Sequence, residues 1–216
     1  MEFYSIVAFF QKGGLFMYPI MLVFAVGMAI TVERWLQLRR TQSVNSKMWD
    51  LVHPVLAEGE FDKAREMVKE DQSNMAKMLE MGLARQGAVR RREDIEIAME
   101  ESMMEIIPQL EKRTPYVALL ANIATLLGLL GTIMGLIAAF TAVAAANPAE
   151  KADLLSASIS VAMNTTAFGL MSAIPLLLFH AMLTSTTGQI VDSLEMASVK
   201  ALNSISNFAT RQFDRS

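Results

Sequence analysis

The sequence lacks cysteine and is poor in histidine, with none of the first and two of the second among 216 residues. The absence of cysteine excludes a disulfide framework and a thiolate metal site. Neither His53 nor His180 has a second ligand type at metal spacing. The sequence also contains no P-loop, no G-x-S-x-G and no H-E-x-x-H motif. An enzyme in the ordinary sense is therefore not expected.

Charge is also scarce, because only 19% of the residues are charged whereas 53% are hydrophobic. This balance is typical of a membrane protein. Three segments, 14–32, 116–144 and 154–183, contain no Asp, Glu, Lys or Arg and reach the roughly 20 residues that a transmembrane helix needs. The sequence therefore predicts an all-α integral membrane protein with three transmembrane helices. His180 falls near the inner end of the third segment, where an interfacial position is favoured over a proton-relay role.

The distribution of basic residues predicts the orientation. Of the 19 Lys and Arg residues, 14 lie between Glu33 and Arg113. The positive-inside rule then places residues 33–115 in the cytoplasm as a large helical domain and stalk, and residues 184–216 beside them as a C-terminal helix. The 145–153 loop and the N-terminus lie outside. Residues 1–13 open with an acid and aromatics and contain no small-residue cleavage site, so we interpret them as an amphipathic helix and not as a signal peptide.

The cytoplasmic segment is predicted to be helical, because it shows no strand-like alternation. Residues 46–57 and 60–71 flank Gly59 as an αα-hairpin, and a third helix covers 73–85. A longer helix starts at Arg92 and continues into span two as a stalk, with Pro108 and Pro115 as kinks that do not end it. Spans two and three thus extend into the cytoplasm. Acids outnumber bases in 33–113, which favours a solvated helical surface over a nucleic-acid site.

Spans two and three each have one small, weakly polar face at helical spacing. In span two this face contains Asn122, Thr125, Gly128, Thr132, Gly135 and Ala139. In span three it contains Ser158, Val161, Ala162, Thr165, Gly169 and Ser172, with Thr166 at its flank. Composition alone favours helix packing over ion conduction for these faces, with Gly128, Gly131, Gly135 and Gly169 as packing residues. Asn164 shifts the balance toward conduction, because its amide is costly to leave unsatisfied in hydrocarbon.

Two motifs carry a resemblance to a known family. GLLGTIMGL, residues 128–136, resembles the G-x-x-G-T-V-x-G-I signature of span two in the MotA/TolQ/ExbB proton-channel family. TTAFGLMSAIP, residues 165–175, is similar to that family's T-A-x-G-L-x-x-A-I-P in span three. The length and three spans resemble the ExbB/TolQ branch. The resemblance implies a homopentamer in the bacterial inner membrane, with a pore that holds a dimer of ExbD/TolR-like single-span proteins, each with an intramembrane aspartate.

The resemblance also implies a pore lining. The family's characteristic threonines fall on Thr132 and Thr166, and Thr165 adds a hydroxyl. Thr125, Val161 and Asn164 belong to the same expected lining. Pro175 lacks a backbone donor and so frees the carbonyl of Met171 for water or an ion.

Val161 stands where ExbB/TolQ members commonly carry a glutamate, so the partner is expected to supply the only intramembrane acid. The transported ion is expected to be H⁺. Na⁺ is the alternative, because hydroxyl and amide oxygens are hard ligands. No cofactor or metal is expected.

The sequence thus predicts an ion-conducting stator or motor subunit that converts ion-motive force into mechanical work on envelope machinery. The alternative is a non-conducting oligomeric membrane scaffold. A small-solute transporter ranks below both, because the sequence shows no inverted repeat and no charged substrate site.

Overall fold

The computed structural model describes residues 14–86 and 92–213, with side chains as far as Phe208. Within those residues the regular elements are helices, which confirms the predicted all-α class. In chain order they are α1 (Met17–Glu58), α2 (Phe61–Lys69), α3 (Asn74–Arg85), α4 (Arg92–Glu111), α5 (Thr114–Ala145) and α6 (Lys151–Phe213). The amphipathic helix predicted for residues 1–13 lies outside the described residues.

Within the described residues, three helical stretches are long and apolar enough to cross a membrane. They are α1, the Arg92–Ala145 stretch that contains α5, and α6, and each covers all or most of one predicted span. At about 1.5 Å per residue, α5 alone exceeds the roughly 30 Å hydrocarbon core. By length and composition the chain is therefore an integral membrane protein with three candidate spans. Gly14 has a φ of +75°, so α1 begins at Met17 and not at the predicted residue 14.

The expected continuity between stalk and span two is interrupted. Helix α4 ends at Glu111, and α5 begins at Thr114 after Arg113, whose φ of 67° is left-handed. Pro115 explains the break, because a proline there cannot donate to the carbonyl of Glu111 and its ring would clash with that carbonyl. Pro115 lies in the first turn of α5, where a backbone N–H has no acceptor within the helix, so the missing N–H removes no hydrogen bond from α5. Pro108, in contrast, lies inside α4 without ending it, as predicted.

The chain divides into two compact units. Unit 1 comprises residues 14–34 and Arg113–Met182, so it holds the apolar parts of α1, α5 and α6. Small side chains dominate its buried surface, including Ala121, Ala124, Ala162 and Ala173. The chain between α5 and α6 is shorter than predicted, since α6 already begins at Lys151.

Unit 2 comprises Trp35–Lys112 and Leu183–Ser216. The first helix of the predicted hairpin is the end of the 42-residue α1, and the turn closes at Gly59, whose φ is +82°. Helix α3 starts one residue after its N-cap Ser73, whose hydroxyl accepts from the Ala76 N–H. In the C-terminal part of α6, Ile190, Leu194, Ala197 and Ala201 are buried on one side of the helix.

Candidate functional site

Helices α5 and α6 approach so closely in unit 1 that glycine is required on both. A Cβ built on Gly169 would lie 2.8 Å from the carbonyl oxygen of Ala124 and 3.0 Å from the Cα of Gly128. A Cβ on Gly128 would lie 3.2 Å from the Cα of Gly169 and 3.3 Å from that of Thr166. We call this contact the glycine seam. Close backbone approach of this kind is a common way for membrane helices to associate.

The seam extends toward the end of α5. A Cβ on Gly135 would lie 2.9 Å from the Cβ of Ala162. A Cβ on Gly131 would clash with the methyl group of Thr165 and would lie 3.2 Å from the Cβ of Phe16, just before α1. The four glycines predicted from sequence to pack helices therefore all lie at close helix contacts in the structure.

Two threonine hydroxyls meet across the glycine seam. Thr132 of α5 and Thr166 of α6 are within hydrogen-bonding contact through their Oγ1 atoms. The hydroxyl of Thr166 also lies 2.9 Å from the carbonyl oxygen of Gly128, and that of Thr132 lies 3.2 Å from the same oxygen and 3.5 Å from the carbonyl oxygen of Ala162. Each hydroxyl has one proton, so one threonine can donate to the other while the second donates to a backbone carbonyl.

The hydroxyls of Thr165 and Thr125 are turned toward their own helices. Thr165 is buried, and its Oγ1 donates to the carbonyl oxygen of Val161, 3.1 Å away. Thr125 is half-buried and donates to the carbonyl oxygen of Ala121 at 3.2 Å. Such bonds to the preceding turn satisfy a threonine without an external ligand. Within one chain, Thr165 therefore contributes to helix packing beside Gly131.

Val161 lies at a different edge of α6 from Thr166. The Cγ1 of Val161 is 3.3 Å from a Cβ built on Gly14, so this side chain contacts the segment that leads into α1. Thr166 instead contacts Thr132 of α5. Five residues correspond to about 140° around an α-helix, which is why the two side chains have different neighbours. In a single chain they do not line one groove.

Asn164 and Pro175 complete the predicted set. Asn164 is half-buried and lies two residues before Thr166, on roughly the opposite side of α6. Pro175 is half-buried inside α6, and the helix continues through it to Phe213. Because Pro175 has no N–H, the carbonyl of Met171 loses its helical donor, and Met171 is at an exposed position.

Sequence reasoning missed the contribution of α1 and of the backbone. Gly27 of α1 lies against Leu176, since a Cβ there would be 2.8 Å from the leucine Cδ2. The carbonyl oxygens of Gly128 and Ala162 are the acceptors at the threonine pair. Gly27 within span one was a sequence signal for the contact of α1. No side-chain pattern identifies the carbonyl acceptors. Among the residues that the structure describes, no three His, Asp or Glu side chains come together as a metal site would require.

These features define an integral membrane protein whose apolar helices pack on a glycine seam with a hydroxyl pair at its edge. A family model described as the MotA/TolQ/ExbB proton channel family matches residues 70–196, which is more than half of the chain. The chain belongs to that family. The match does not distinguish the ExbB/TolQ branch. A comparison with curated proteins gave no match.

We expect Gly169→Ala to destabilise the protein by about 1–3 kcal/mol, because the new methyl group would meet the Ala124 carbonyl and the Gly128 backbone. Gly188→Ala in the same helix is the matched control. A Cβ on Gly188 meets nothing within 4 Å, and alanine favours a helix over glycine by up to about 1 kcal/mol. Thermal unfolding of the detergent-solubilised protein should show a lower midpoint for Gly169→Ala only. Equal midpoints for the two variants would contradict the close approach at the seam.

Proposed function

We propose that this chain is the ion-conducting stator subunit of an inner-membrane complex of the ExbB–ExbD or TolQ–TolR type, with its N-terminus in the periplasm and its C-terminus in the cytoplasm. Such a complex converts ion-motive force into mechanical work on envelope machinery. The observation that carries the proposal is the Thr132–Thr166 hydroxyl pair across the glycine seam. Membership of a proton-channel family supports it.

The hydroxyl pair suits a carboxylate that alternates between an ionised and a protonated state. An ionised carboxylate in hydrocarbon is costly unless donors or a proton relieve it. In the structure one threonine hydroxyl donates to the other, and the second donates to a backbone carbonyl such as that of Gly128. A hydroxyl that rotates to a carboxylate loses a neutral hydrogen bond of about 1 kcal/mol and gains a charge-assisted bond of about 1.5–3 kcal/mol. Protonation of the carboxylate removes that gain, and the hydroxyl returns to the carbonyl.

The acid must come from a partner. In the described part of unit 1, the residues from Thr114 to Pro148 and from Leu154 to Met182 include no Asp or Glu. The proposal therefore includes a homopentamer of this chain around a dimer of single-span proteins, each with an aspartate in its span. Val161 cannot titrate, and its contact with the segment before α1 keeps it away from the threonine pair. Ion transfer then depends on the partner's carboxylate and the two threonines.

A non-conducting scaffold is the second candidate. The glycine seam itself favours it, because close helix packing is what an oligomeric scaffold needs. The hydroxyls of Thr125 and Thr165 donate to their own helices and so need no ion. The two functions differ in whether the hydroxyl of Thr132 is needed for more than packing.

We expect Thr132→Val to abolish or strongly reduce ion-driven activity while the complex still assembles. Valine keeps the shape of threonine but removes the hydroxyl, and a lost hydrogen bond to a charged group of about 1.5–3 kcal/mol corresponds to roughly 10- to 100-fold. Thr132→Ser keeps the hydroxyl and is the control. Ion flux into proteoliposomes and size-exclusion chromatography measure activity and assembly. Full flux in Thr132→Val would favour the scaffold.

We expect the chain to co-purify from its native membrane with a small single-span protein that has an aspartate within its span. Native mass spectrometry should count two copies of that protein for five copies of this chain. An active complex without such a protein would refute the proposed arrangement, since the described apolar parts of this chain contain no acid of their own.

The transported ion is proposed to be H⁺, with Na⁺ as the alternative that the hydroxyl and carbonyl oxygens at the seam can also coordinate. With H⁺ as the carrier, flux in proteoliposomes follows an imposed pH gradient in sodium-free buffer. With Na⁺ as the carrier, flux at a fixed, equal pH on both sides requires a sodium gradient. The two results exclude each other and identify the ion.

A further inference from the structure

Helix α4 has an exposed acidic face in unit 2. Ile97 and Met104 are 52% and 72% exposed, although both are large apolar side chains. Glu100 and Glu101 lie between them on the same side of the helix and are exposed. The buried residues of α4, such as Met99, lie on the opposite side. We call Ile97, Glu100, Glu101 and Met104 the acidic face.

Helix α1 has an exposed basic face in the same unit. Arg40 and Lys47 are exposed and lie on one side of α1 with Leu51, which is 61% exposed. Asp50 and Glu58 are exposed on this side too, so the positive charge is concentrated toward Arg40. We call Arg40, Lys47 and Leu51 the basic face. The ion pairs of the described residues involve neither these two bases nor Glu100 and Glu101.

The axis of the long helix α6 is a common scale for the positions of the two faces. We call a position along this axis, measured from Phe208 toward the N-terminus of α6, its level. Helix α1 meets α6 where the ring of Phe208 covers Gly59. Helix α4 meets α6 where the Ser198 hydroxyl donates to the Met99 sulfur at 3.7 Å. Ser198 and Phe208 are about 15 Å apart along the axis of α6. Met99 is therefore about 15 Å above the level of Gly59.

One charge pair and one apolar pair of the two faces then match in level. Helix α4 is antiparallel to α6, because Arg92 contacts Asn203 while Met99 contacts Ser198. Glu101 thus lies about 18 Å above Gly59, and Lys47, twelve residues before Gly59, lies at about the same 18 Å. Ile97 and Leu51 both lie at about 12 Å. The Glu101–Lys47 charge pair and the Ile97–Leu51 apolar pair therefore lie at equal levels, whereas Arg40 lies about 28 Å above Gly59, beyond the acidic face.

We propose that the acidic face of α4 docks on the basic face of α1 of a second copy of this chain. The proposal deepens the homo-oligomer of the proposed function and rests on it. A ring whose axis runs along the helices keeps every residue at the same level in neighbouring copies, so equal levels are what such a contact requires. A symmetric contact between two α4 helices would bring glutamates together and is disfavoured. In the proposed contact Ile97 and Leu51 cover each other. The opposite charges of Glu101 and Lys47 favour this pairing of helices and this register.

Cysteine cross-linking in native membranes tests the contact, and the cysteine-free sequence provides a clean background. The full chain with Leu51→Cys and Ile97→Cys should form disulfides between copies under mild oxidation, seen as a ladder of multimers on a non-reducing gel. The matched control combines Leu51→Cys with Met104→Cys, whose levels differ by about 10 Å. That exceeds the roughly 7 Å that a disulfide tolerates between Cα atoms. The control and each single variant should stay monomeric on the gel.

A gel that shows only monomer for Leu51→Cys with Ile97→Cys would overturn the proposal. An intrachain disulfide would also run as monomer and would count against a contact between copies in the same way. Multimers from Ile97→Cys alone would overturn it too, because they would indicate α4 against α4. Charge reversal provides an independent measurement. Lys47→Glu and Glu101→Lys should each reduce the share of oligomer in native mass spectra, and the double variant should restore it. If an anionic lipid covers the basic face instead, Glu101→Lys has no effect and the double variant restores nothing.

This result is separable from that of the conduction test. Cross-linking and native mass report the contact between copies whether or not ions flow. Cross-links in a protein whose Thr132→Val variant conducts fully would support the docking and refute the ion path. A conducting oligomer without cross-links would support the ion path and refute the docking.

Discussion

The approach of the α5 and α6 backbones at Gly128 and Gly169 is the contact on which the rest of unit 1 depends. In lipid there is little hydrophobic gain from bringing two helices together, so van der Waals contact between backbones has to hold them. A side chain at either glycine would meet a backbone atom of the other helix or the Ala124 carbonyl. The seam exists because both positions lack a Cβ, and the small residues around it follow from the same constraint.

The position of the threonine pair is a consequence of the seam. With the backbones this close, the hydroxyls of Thr132 and Thr166 reach each other and share the Gly128 carbonyl as an acceptor. Without a stronger acceptor nearby, both hydroxyls donate to partners within the protein. The proposed function requires hydroxyls that can turn from such partners to a carboxylate and back. The same closeness makes the seam a packing element, so under the proposed function helix packing and ion transfer would use one set of residues.

Unit 2 shows how the membrane helices also serve outside the apolar region. Helices α1 and α6 continue without interruption beyond their apolar parts, so no linker residues separate the apolar part of each helix from its polar part. Helix α4 differs, because Pro115 forces a break before α5. Lys47 on the exposed side of α1 and Glu101 on the exposed side of α4 carry opposite charges and lie at equal levels. Long straight helices preserve such a register, since their rise per residue is constant.

The sequence by itself determined the all-α class, the three apolar helices, the turn at Gly59 and the α3 start at Ser73, because each follows from local composition, periodicity or capping. Helical spacing also placed the four glycines on helix faces, and the family motifs singled out the two threonines whose hydroxyls meet in the structure. Only the tertiary structure decided which neighbour each face meets. Periodicity puts Val161, Thr165 and Thr166 near one face of α6, but the rotation of α6 against α5 and α1 sends them to Gly14, Gly131 and Thr132 respectively. Rotation depends on contacts between distant residues, and no local pattern encodes it.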